Sequence, residues 1–165
     1  MRRPAGRPGR NGRFTPKGKT SGRRSTKTGR SIIASVMPAL IHQQFYIFRD
    51  GQQPVGLALW AKCSPEAARK VDHGIVEPQY RLSLEEWNSG DEIWLVDLIA
   101  PFATADNRHR ELMMADLMSK PLAGKEFKFH RTDAATGART VQTVSADAGE
   151  KLKEALAAAF DLANN

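Results

Sequence analysis

The segment E-I-W-L-V-D-L-I-A-P-F, residues 92–102, constrains the fold more than any other part of the sequence. Successive side chains of a strand point to opposite faces, and both faces are apolar here, which predicts a central strand covered on both sides. A single acid, Asp97, interrupts the apolar run. On a regular strand one face would carry Ile93, Leu95, Asp97 and Ile99, and the other would carry Trp94, Val96 and Leu98.

Asp97 is therefore predicted to lose contact with solvent on either face of the strand. A buried carboxylate without partners is costly enough to become protonated, so a fold keeps one with hydrogen bonds, with a cation or for a function. The residues alone leave two interpretations open. Asp97 either anchors backbone N–H groups where strands part, or it orients and activates a reacting group.

Turn signals divide the sequence on the N-terminal side of this strand. Asp50-Gly51 predicts a hairpin between Q-Q-F-Y-I-F-R and Q-P-V-G-L-A-L-W-A-K-C, and residues 31–41 before it suggest a short helix or an apolar arm. A helix should follow the hairpin. Ser64 is suited to cap it, Pro65 to its first position and Gly74 to its end.

Two further helices are predicted around the central strand. S-L-E-E-W should form a short one, because Ser83 and Glu86 have the spacing of a capping box. After Pro101 a longer helix is expected over residues 106–119. Its predicted buried stripe consists of Leu112, Met113, Leu117 and the more marginal Met114.

The C-terminal third predicts a second hairpin and a last helix. The strands K-E-F-K-F-H-R-T-D and R-T-V-Q-T-V-S flank residues 134–138, and alternation separates Phe127 and Phe129 from Lys128 and His130. The last helix, about residues 146–162, should bury Leu152, Ala155, Leu156 and Phe160. The whole order predicts the α+β class, with about five largely antiparallel strands covered by helices.

Charge is divided unevenly along the chain. Residues 1–30 carry eleven Lys or Arg and no acid, whereas the other 135 residues carry 14 basic and 18 acidic groups, within a net charge of +7. We predict a disordered basic tail over residues 1–30, because it has too little apolar surface to offset its chain entropy, and one folded domain over residues 31–165.

The uneven charge also bears on partners and location. A mildly acidic domain is not built around a nucleic-acid-binding face, so contact with nucleic acid is expected only weakly, through the tail. A solvated tail or a transit peptide are the other interpretations of residues 1–30. The apolar stretch 31–41 is too short to span a membrane, so no membrane span is expected. We expect a cytoplasmic protein.

The single cysteine, Cys63, excludes an intramolecular disulfide framework and a cysteine-rich zinc site. Its place in an apolar strand favours a buried thiol over a nucleophile. Trp60 and Trp94 are expected in the core for the same reason, and Trp87 is expected to pack the end of a helix, with Asp91 in the turn that follows.

Four blocks of sequence together resemble one family. They are V-M-P-A-L (36–40), P-V-G-L-A-L-W (54–60), W-N-S-G-D (87–91) and W-L-V-D-L-I-A-P-F (94–102). Their order and spacing resemble the RTX toxin-activating lysine acyltransferases, the family of the hemolysin- and cyclolysin-activating proteins. The resemblance covers about residues 36–130.

This resemblance implies an acetyltransferase-like (GNAT-like) fold and the transfer of a fatty acyl chain from acyl carrier protein to internal lysines of an RTX protoxin. It assigns the catalytic carboxylate to Asp97. It implies no bound cofactor, because acyl carrier protein supplies the acyl donor. The turn 101–107 has no glycine and so lacks the phosphate-binding nest that coenzyme A-dependent enzymes of such a fold carry, which also favours a carrier-bound donor.

The family's upstream histidine has no counterpart, since His42 is the first histidine of the chain. An attacking lysine ammonium must lose a proton, and a neutral imidazole is the usual acceptor. Three interpretations stay open: His42 is the catalytic base, solvent takes the proton while Asp97 orients the amine, or the chain is a degenerate copy. His73, His109 and His130 are further candidates for the base, although each is expected rather as a surface residue.

The principal function prediction is therefore a protein-lysine fatty acyltransferase. The alternative is a catalytically silent relative that binds carrier protein or protoxin and whose basic tail contacts nucleic acid or acidic surfaces. Leu98 and Ala103 stand where the family usually has Trp and Gly, and they should affect substrate shape more than fold. An acidic carrier protein is expected to approach through basic residues of the domain, namely Lys62, Arg69, Lys70, Arg108 and Arg110. The sequence leaves open whether the chain forms a homodimer.

Overall fold

The computed structural model describes residues 36–74, 77–104, 106–133 and 135–163, apart from the side chains of residues 78, 156 and 158–163. The predicted tail, residues 1–30, lies outside this part, as do the first five residues of the predicted domain. The described residues form an α+β domain, as the element order predicts.

The domain contains five strands and three longer helices within the described residues. In chain order they are β1 (Phe45–Asp50), β2 (Gln53–Cys63), α1 (Pro65–His73), β3 (Glu92–Ile99), α2 (His109–Ser119), β4 (Phe127–Thr132), β5 (Arg139–Val144) and α3 (Ala148–Ala163). Residues 36–41 add a helical segment before β1, and Pro78–Tyr80 add a 3-10 helix that the sequence did not predict. None of these helices is long and apolar enough to cross a membrane.

The strands form one sheet in the order β1-β2-β3-β4-β5. Neighbouring strands are antiparallel except for β3 and β4, which are parallel, so the predicted mostly antiparallel sheet with a central β3 is confirmed. A parallel pair needs a crossover, and the segment containing α2 supplies it. Both predicted hairpins are present.

Helices cover both faces of the sheet. On the α1 face, residues of β2 and β3 pack against α1, the helical segment 36–41 and Trp87. On the α2 face, Met113 and Leu117 of α2 pack with Leu122 against the opposite side of the same strands. The buried apolar residues of the α1 face are Ala39, Leu59, Ala61, Cys63, Ala67, Ala68, Val71, Trp87 and Trp94.

The ends of α1 follow the sequence signals. The hydroxyl of Ser64 accepts a hydrogen bond from the backbone N–H of Ala67 at 3.3 Å, and Pro65 occupies the first turn. Gly74 ends the helix with φ +93°, a conformation that favours glycine. The α1 prediction is confirmed at both ends.

The prediction of a short helix at S-L-E-E-W is wrong, although its predicted capping contacts form. Both capping-box bonds form, from Ser83 N–H to the Glu86 carboxylate at 2.8 Å and from Glu86 N–H to the Ser83 hydroxyl at 3.3 Å. Residues 84–87 nevertheless form a turn and not a regular helix. The carbonyl of Trp87 accepts from Lys62 N–H at 2.9 Å, so the chain leaves the helical path to pair with β2.

Three helix details also differ from the predictions. Helix α2 begins at His109 and not near residue 106, because the side chain of Asn107 binds the backbone before it. Leu112 is 66% exposed and does not belong to the buried stripe, whereas Met113 and Leu117 do. In α3, Leu152 is half-buried and Ala155 is exposed; the side chains of residues 156 and 160 lie outside the described part.

The W-N-S-G block fastens the start of β3 to the end of β2. Ser89 and Gly90 both donate backbone N–H bonds to the carbonyl of Lys62, and the Ser89 hydroxyl accepts from Ser64 N–H at 2.8 Å. The buried Gln44 side chain lies 3.0 Å from the side-chain amide of Asn88, and its amide nitrogen is placed to donate to the carbonyls of Trp60 and Trp87 at 3.1 and 2.9 Å. Trp87 is 2% exposed, so its predicted packing role is confirmed.

Replacing Gly90 by Ala should make the domain less stable. A Cβ at this position would lie 2.7 Å from both Cys63 C and Ser64 N, which are backbone atoms that cannot move away. We expect the free energy of unfolding to fall by about 2 kcal/mol or more, as measured by urea denaturation.

Gly124→Ala is the matched control for that substitution. Gly124 has φ +68° but open space around its Cα, so Ala there meets only backbone strain of about 1 kcal/mol. Equal losses for the two variants would contradict the close approach at Gly90.

Candidate active site

A β-bulge lies in β3 next to Asp97. In the antiparallel ladder with β2, Leu59 pairs with Asp97 and Trp60 pairs with Leu95, so Val96 has no partner of its own. A bulge adds one residue to one strand and shifts the alternation of all side chains beyond it. The regular alternation predicted from the sequence therefore holds only as far as Leu95.

The bulge reverses the predicted faces of the second half of β3. Asp97 pairs with Leu59, which is buried on the α1 face, so Asp97 lies on the face of Trp94 and Val96 and not on that of Ile93 and Leu95. The prediction that Asp97 and Ile99 share a face with Ile93 is wrong for this reason. Leu98 pairs with Ala58 and packs on the α2 face, so it faces away from Asp97.

The carboxylate of Asp97 is half-buried. Desolvation raises the pKa of Asp97 above its ordinary value, and a hydrogen bond from the backbone N–H of Leu98 offsets part of that rise. The ion pairs of the described residues do not include Asp97. The side chain is thus neither sealed inside the core nor neutralised by a cation, and it is available to a reacting group.

An apolar surface borders the carboxylate on the same face. The ladders place Asp97 in a row with Leu59 and Phe45, and they place Ile99 in the next row with Leu57 and Ile47. Leu57 and Ile99 are half-buried, and Ile47 is 38% exposed. This surface suits a hydrocarbon chain lying across the sheet.

Strands β3 and β4 separate next to Asp97, and this gap is called the opening of the sheet. The parallel ladder between β3 and β4 consists of three pairs, and the last joins Leu95 to Phe129. Beyond it both strands continue without pairing to each other within the described residues. Backbone groups of β3 on that side are consequently not used by β4.

The loop after β3 is held by one side chain. Asn107 accepts at Oδ1 from the backbone N–H groups of Thr104 and His109 at 3.0 and 3.1 Å, and its Nδ2 donates to Phe102 O at 2.7 Å. The Thr104 hydroxyl in turn accepts from Asn107 N–H at 3.2 Å. A side chain thus shapes this glycine-free turn, and Arg108 follows with φ +48°.

The sequence-predicted base, His42, lies in the turn between the helical segment 36–41 and β1. Its Nε2 contacts the carbonyl of Leu84 at 2.8 Å. That contact ties His42 to the turn at residues 84–87, beside the end of β2. No hydrogen bond among the described residues joins His42 to Asp97.

The other predicted site residues fall into separate groups. His73 stacks on Tyr80 with ring centres 5.0 Å apart, at the far end of α1. Among the basic residues proposed for a carrier protein, Arg69 and Lys70 pair with Glu66 and Glu86 on the α1 side. Arg108 and Arg110 are exposed at the start of α2, where an open cleft is lined by Ala103, Thr104, Arg110 and Glu111.

Cys63 is buried against α1 with 1% exposure. Burial and the nearby carboxylates of Glu92 and Glu86 raise the pKa of this thiol to about 12. A thiol with such a pKa carries almost no thiolate near neutrality and is a poor nucleophile. The prediction of a buried, unreactive cysteine is confirmed.

These features define a domain whose candidate site offers a half-buried carboxylate beside an apolar surface, while its one described thiol is buried. The chain belongs to the RTX toxin acyltransferase family, which its residues 20–145 match. The family resemblance carried by the four sequence blocks is thereby confirmed.

Curated relatives agree with this family. The RTX-II toxin-activating lysine-acyltransferase ApxIIC of Actinobacillus pleuropneumoniae is 28% identical over 81 residues, which are 49% of this chain and 48% of the relative. The protein-lysine myristoyltransferase RtxC of Kingella kingae is 32% identical over 101 residues, 61% of this chain and 54% of the relative. The chain spans about half the length of the curated relatives it matches.

The raised pKa of Asp97 predicts how the free energy of unfolding changes with pH. At neutral pH the fold holds a partly desolvated carboxylate, so Asp97→Asn should raise the free energy of unfolding. As pH falls, the native state binds the proton before the unfolded state does, and wild type gains stability between its raised native pKa and the ordinary value of 3.8.

Urea unfolding of both proteins across that pH range measures the effect. The advantage of Asp97→Asn should shrink as pH falls through the window. An advantage that does not change with pH would show that the carboxylate is not desolvated in the native state.

Proposed function

We propose that this chain transfers a fatty acyl group from acyl carrier protein to internal lysines of an RTX protoxin. The observation that carries the proposal is the half-buried carboxylate of Asp97, which the bulge at Val96 turns onto an apolar face of the sheet. Membership of the RTX toxin acyltransferase family supports the same chemistry. We infer a GNAT-like fold from the central sheet, in which β3 and β4 part next to Asp97.

The reaction forms one bond and breaks another. The lysine Nζ attacks the thioester carbonyl, a C–N bond forms, the C–S bond breaks and the carrier thiol leaves. In this proposal the Asp97 carboxylate accepts hydrogen bonds from the attacking nitrogen and holds it toward the carbonyl. The backbone N–H of Leu98 already binds Asp97, so another backbone N–H of β3 beyond Leu95, on the side that β4 does not use, stabilises the oxyanion.

The loop after β3 favours a carrier-bound donor over free coenzyme A. A pyrophosphate needs several free backbone N–H groups at the start of the following helix. Here the N–H groups of Thr104, Asn107 and His109 are already bound by side chains, and that of Ala103 donates to Ala100 O at 3.1 Å. A pantetheine arm presented by a carrier protein does not need this nest.

The carrier protein is proposed to approach at the start of α2. Arg108 and Arg110 are exposed there, and Phe102 and Leu112 expose apolar surface, 51% and 66% respectively. An acidic partner with an apolar contact would complement this combination. Because acyl carrier protein works in the cytoplasm, we place the reaction in that compartment.

Asp97→Asn should abolish most of the transfer. Incubation with acyl-charged carrier protein and a lysine-rich protoxin fragment, followed by intact-mass analysis, measures the acyl chain added per acceptor. We expect the variant to lose about 100-fold or more in rate, because Asn cannot carry the negative charge that holds the amine.

Asp91→Asn is the matched control, since Asp91 is an exposed acid of the same sequence blocks. It should transfer at the wild-type rate. Carrier binding without any transfer by wild type would identify a silent relative instead, and equal activity of Asp97→Asn and wild type would remove Asp97 from the reaction.

Cys63→Ala should keep the wild-type transfer rate. The buried thiol with its raised pKa does not form an acyl-enzyme, so the acyl chain passes directly from carrier to lysine. The variant should lose only about 1 kcal/mol of unfolding free energy, from the smaller side chain in the core. An acyl adduct on Cys63, trapped by rapid denaturation and peptide mapping, would contradict direct transfer.

A further inference from the structure

The register of β3 and β4 brings a second histidine to the site. The parallel ladder pairs Trp94 with Lys128, so these two side chains share the α1 face. His130 follows Lys128 by two residues and points to the same face. It stands one residue beyond Phe129, the last residue of β4 that pairs with β3.

The bulge brings Asp97 to the same face on the neighbouring strand. Val96 stands one residue beyond Leu95, the last paired residue of β3, and Asp97 follows it on the same face. Without the bulge Asp97 would point to the α2 face, and His130 would have no acid across the opening. The fold therefore places Asp97 and His130 on one face, on the two strands that border the opening of the sheet.

The imidazole of His130 is held in one orientation. Its Nε2 lies 3.0 Å from the carbonyl oxygen of Asp72 in the last turn of α1, and its ring lies against Trp94 with centres 5.6 Å apart. A carbonyl only accepts hydrogen bonds, so Nε2 must carry the proton in the neutral ring. The unprotonated nitrogen, Nδ1, is then the one left to accept a proton.

The charged groups around His130 come from every neighbouring element. On its own strand Lys128 pairs with Glu92 of β3 at 2.8 Å. From α1 comes Asp72, and from β5 comes Arg139, whose guanidinium lies over Gly74 at the end of α1. Among the described residues neither Asp72 nor Asp97 forms an ion pair, and of the two only Asp97 lies on a strand that borders the opening of the sheet.

We propose that His130 is the general base of the acyl transfer, with Nδ1 taking the proton from the attacking lysine ammonium; this rests on the proposed function. The lysine ammonium loses one proton to Nδ1, and Nζ then forms the C–N bond and gives up a second proton as the amide forms. The carrier thiolate takes up a proton as the C–S bond breaks, so one proton is released to solvent overall. His130 acts in place of the family's upstream histidine, and Asp97 holds the ammonium beside it.

The test compares His130→Gln with His42→Gln in the carrier-to-lysine transfer assay. Glutamine keeps an N–H₂ group that can donate to Asp72 O but has no basic nitrogen, so the local packing is preserved. We expect His130→Gln to lower kcat by about 100-fold or more with little change in the KM for carrier, and to remove the acidic limb of the pH–rate profile. His42→Gln should behave as wild type.

Two further measurements separate a base from a structural residue. Added imidazole should restore transfer to His130→Ala, which leaves a cavity, but not to His130→Gln. The double variant Asp97→Asn/His130→Gln should be no slower than the worse single variant, because the two groups act on one nitrogen. Loss of the acidic limb in His42→Gln and not in His130→Gln would overturn the proposal in favour of His42.

Nitrogen NMR of the imidazoles tests His130 without relying on activity. The proposal requires the tautomer with a proton on Nε2, and a proton on Nδ1 in the neutral ring would overturn it even in an active enzyme. If wild type shows no transfer, the proposed function fails, and the role of His130 fails with it. If wild type is active but His130→Gln retains full rate, only the role of His130 fails.

Discussion

One extra residue in β3 is the constraint on which the site depends. Because Val96 has no partner in β2, the strand changes face at that point, and Asp97 stands beside Leu59 on the α1 face. The same irregularity coincides with the end of the ladder to β4, where backbone groups become free for a substrate. A bulge is stable here because the residues before it are anchored: Trp94 and Leu95 are buried on opposite faces.

The sequence blocks that identify the family differ in role: one stabilises the fold, and the other holds the carboxylate of the candidate site. W-N-S-G is structural: its backbone binds Lys62, Gly90 allows the close approach to Cys63 and Ser64, and Trp87 fills the α1-face core. The block around Asp97 instead keeps a carboxylate only partly solvated. Removal of the first kind of residue should destabilise the domain, whereas the partly desolvated Asp97 should itself lower stability, and we propose that it is kept for its action on a reacting group.

The proposed acyl transfer depends on which polar groups of the site are free to meet a substrate and which are buried or already hydrogen-bonded. Burial raises the pKa of Cys63 to about 12, which disfavours it as a nucleophile, and the N–H groups of Thr104, Asn107 and His109 are bound by the side chains of Asn107 and Thr104. What is left on the α1 face is a carboxylate, an apolar row and an oriented imidazole. This combination suits direct transfer of an acyl chain to an amine.

The sequence by itself determined most of the strands and helices, the α+β class, the caps of α1 and the family, and it singled out Asp97 as an acid inside an apolar strand. These depend on local signals: alternation, turn residues, capping spacing and motif order. Only the tertiary structure decided which face Asp97 occupies, because strand alternation carries no sign of an unpaired residue until the partner strand is known. It also decided that His42 is held by Leu84 while His130 borders the opening, since the pairing of β3 with β4 joins segments far apart in the chain. Leu112 and Ala155 were placed inside by their spacing, but only the neighbouring elements determine which side of a helix is covered.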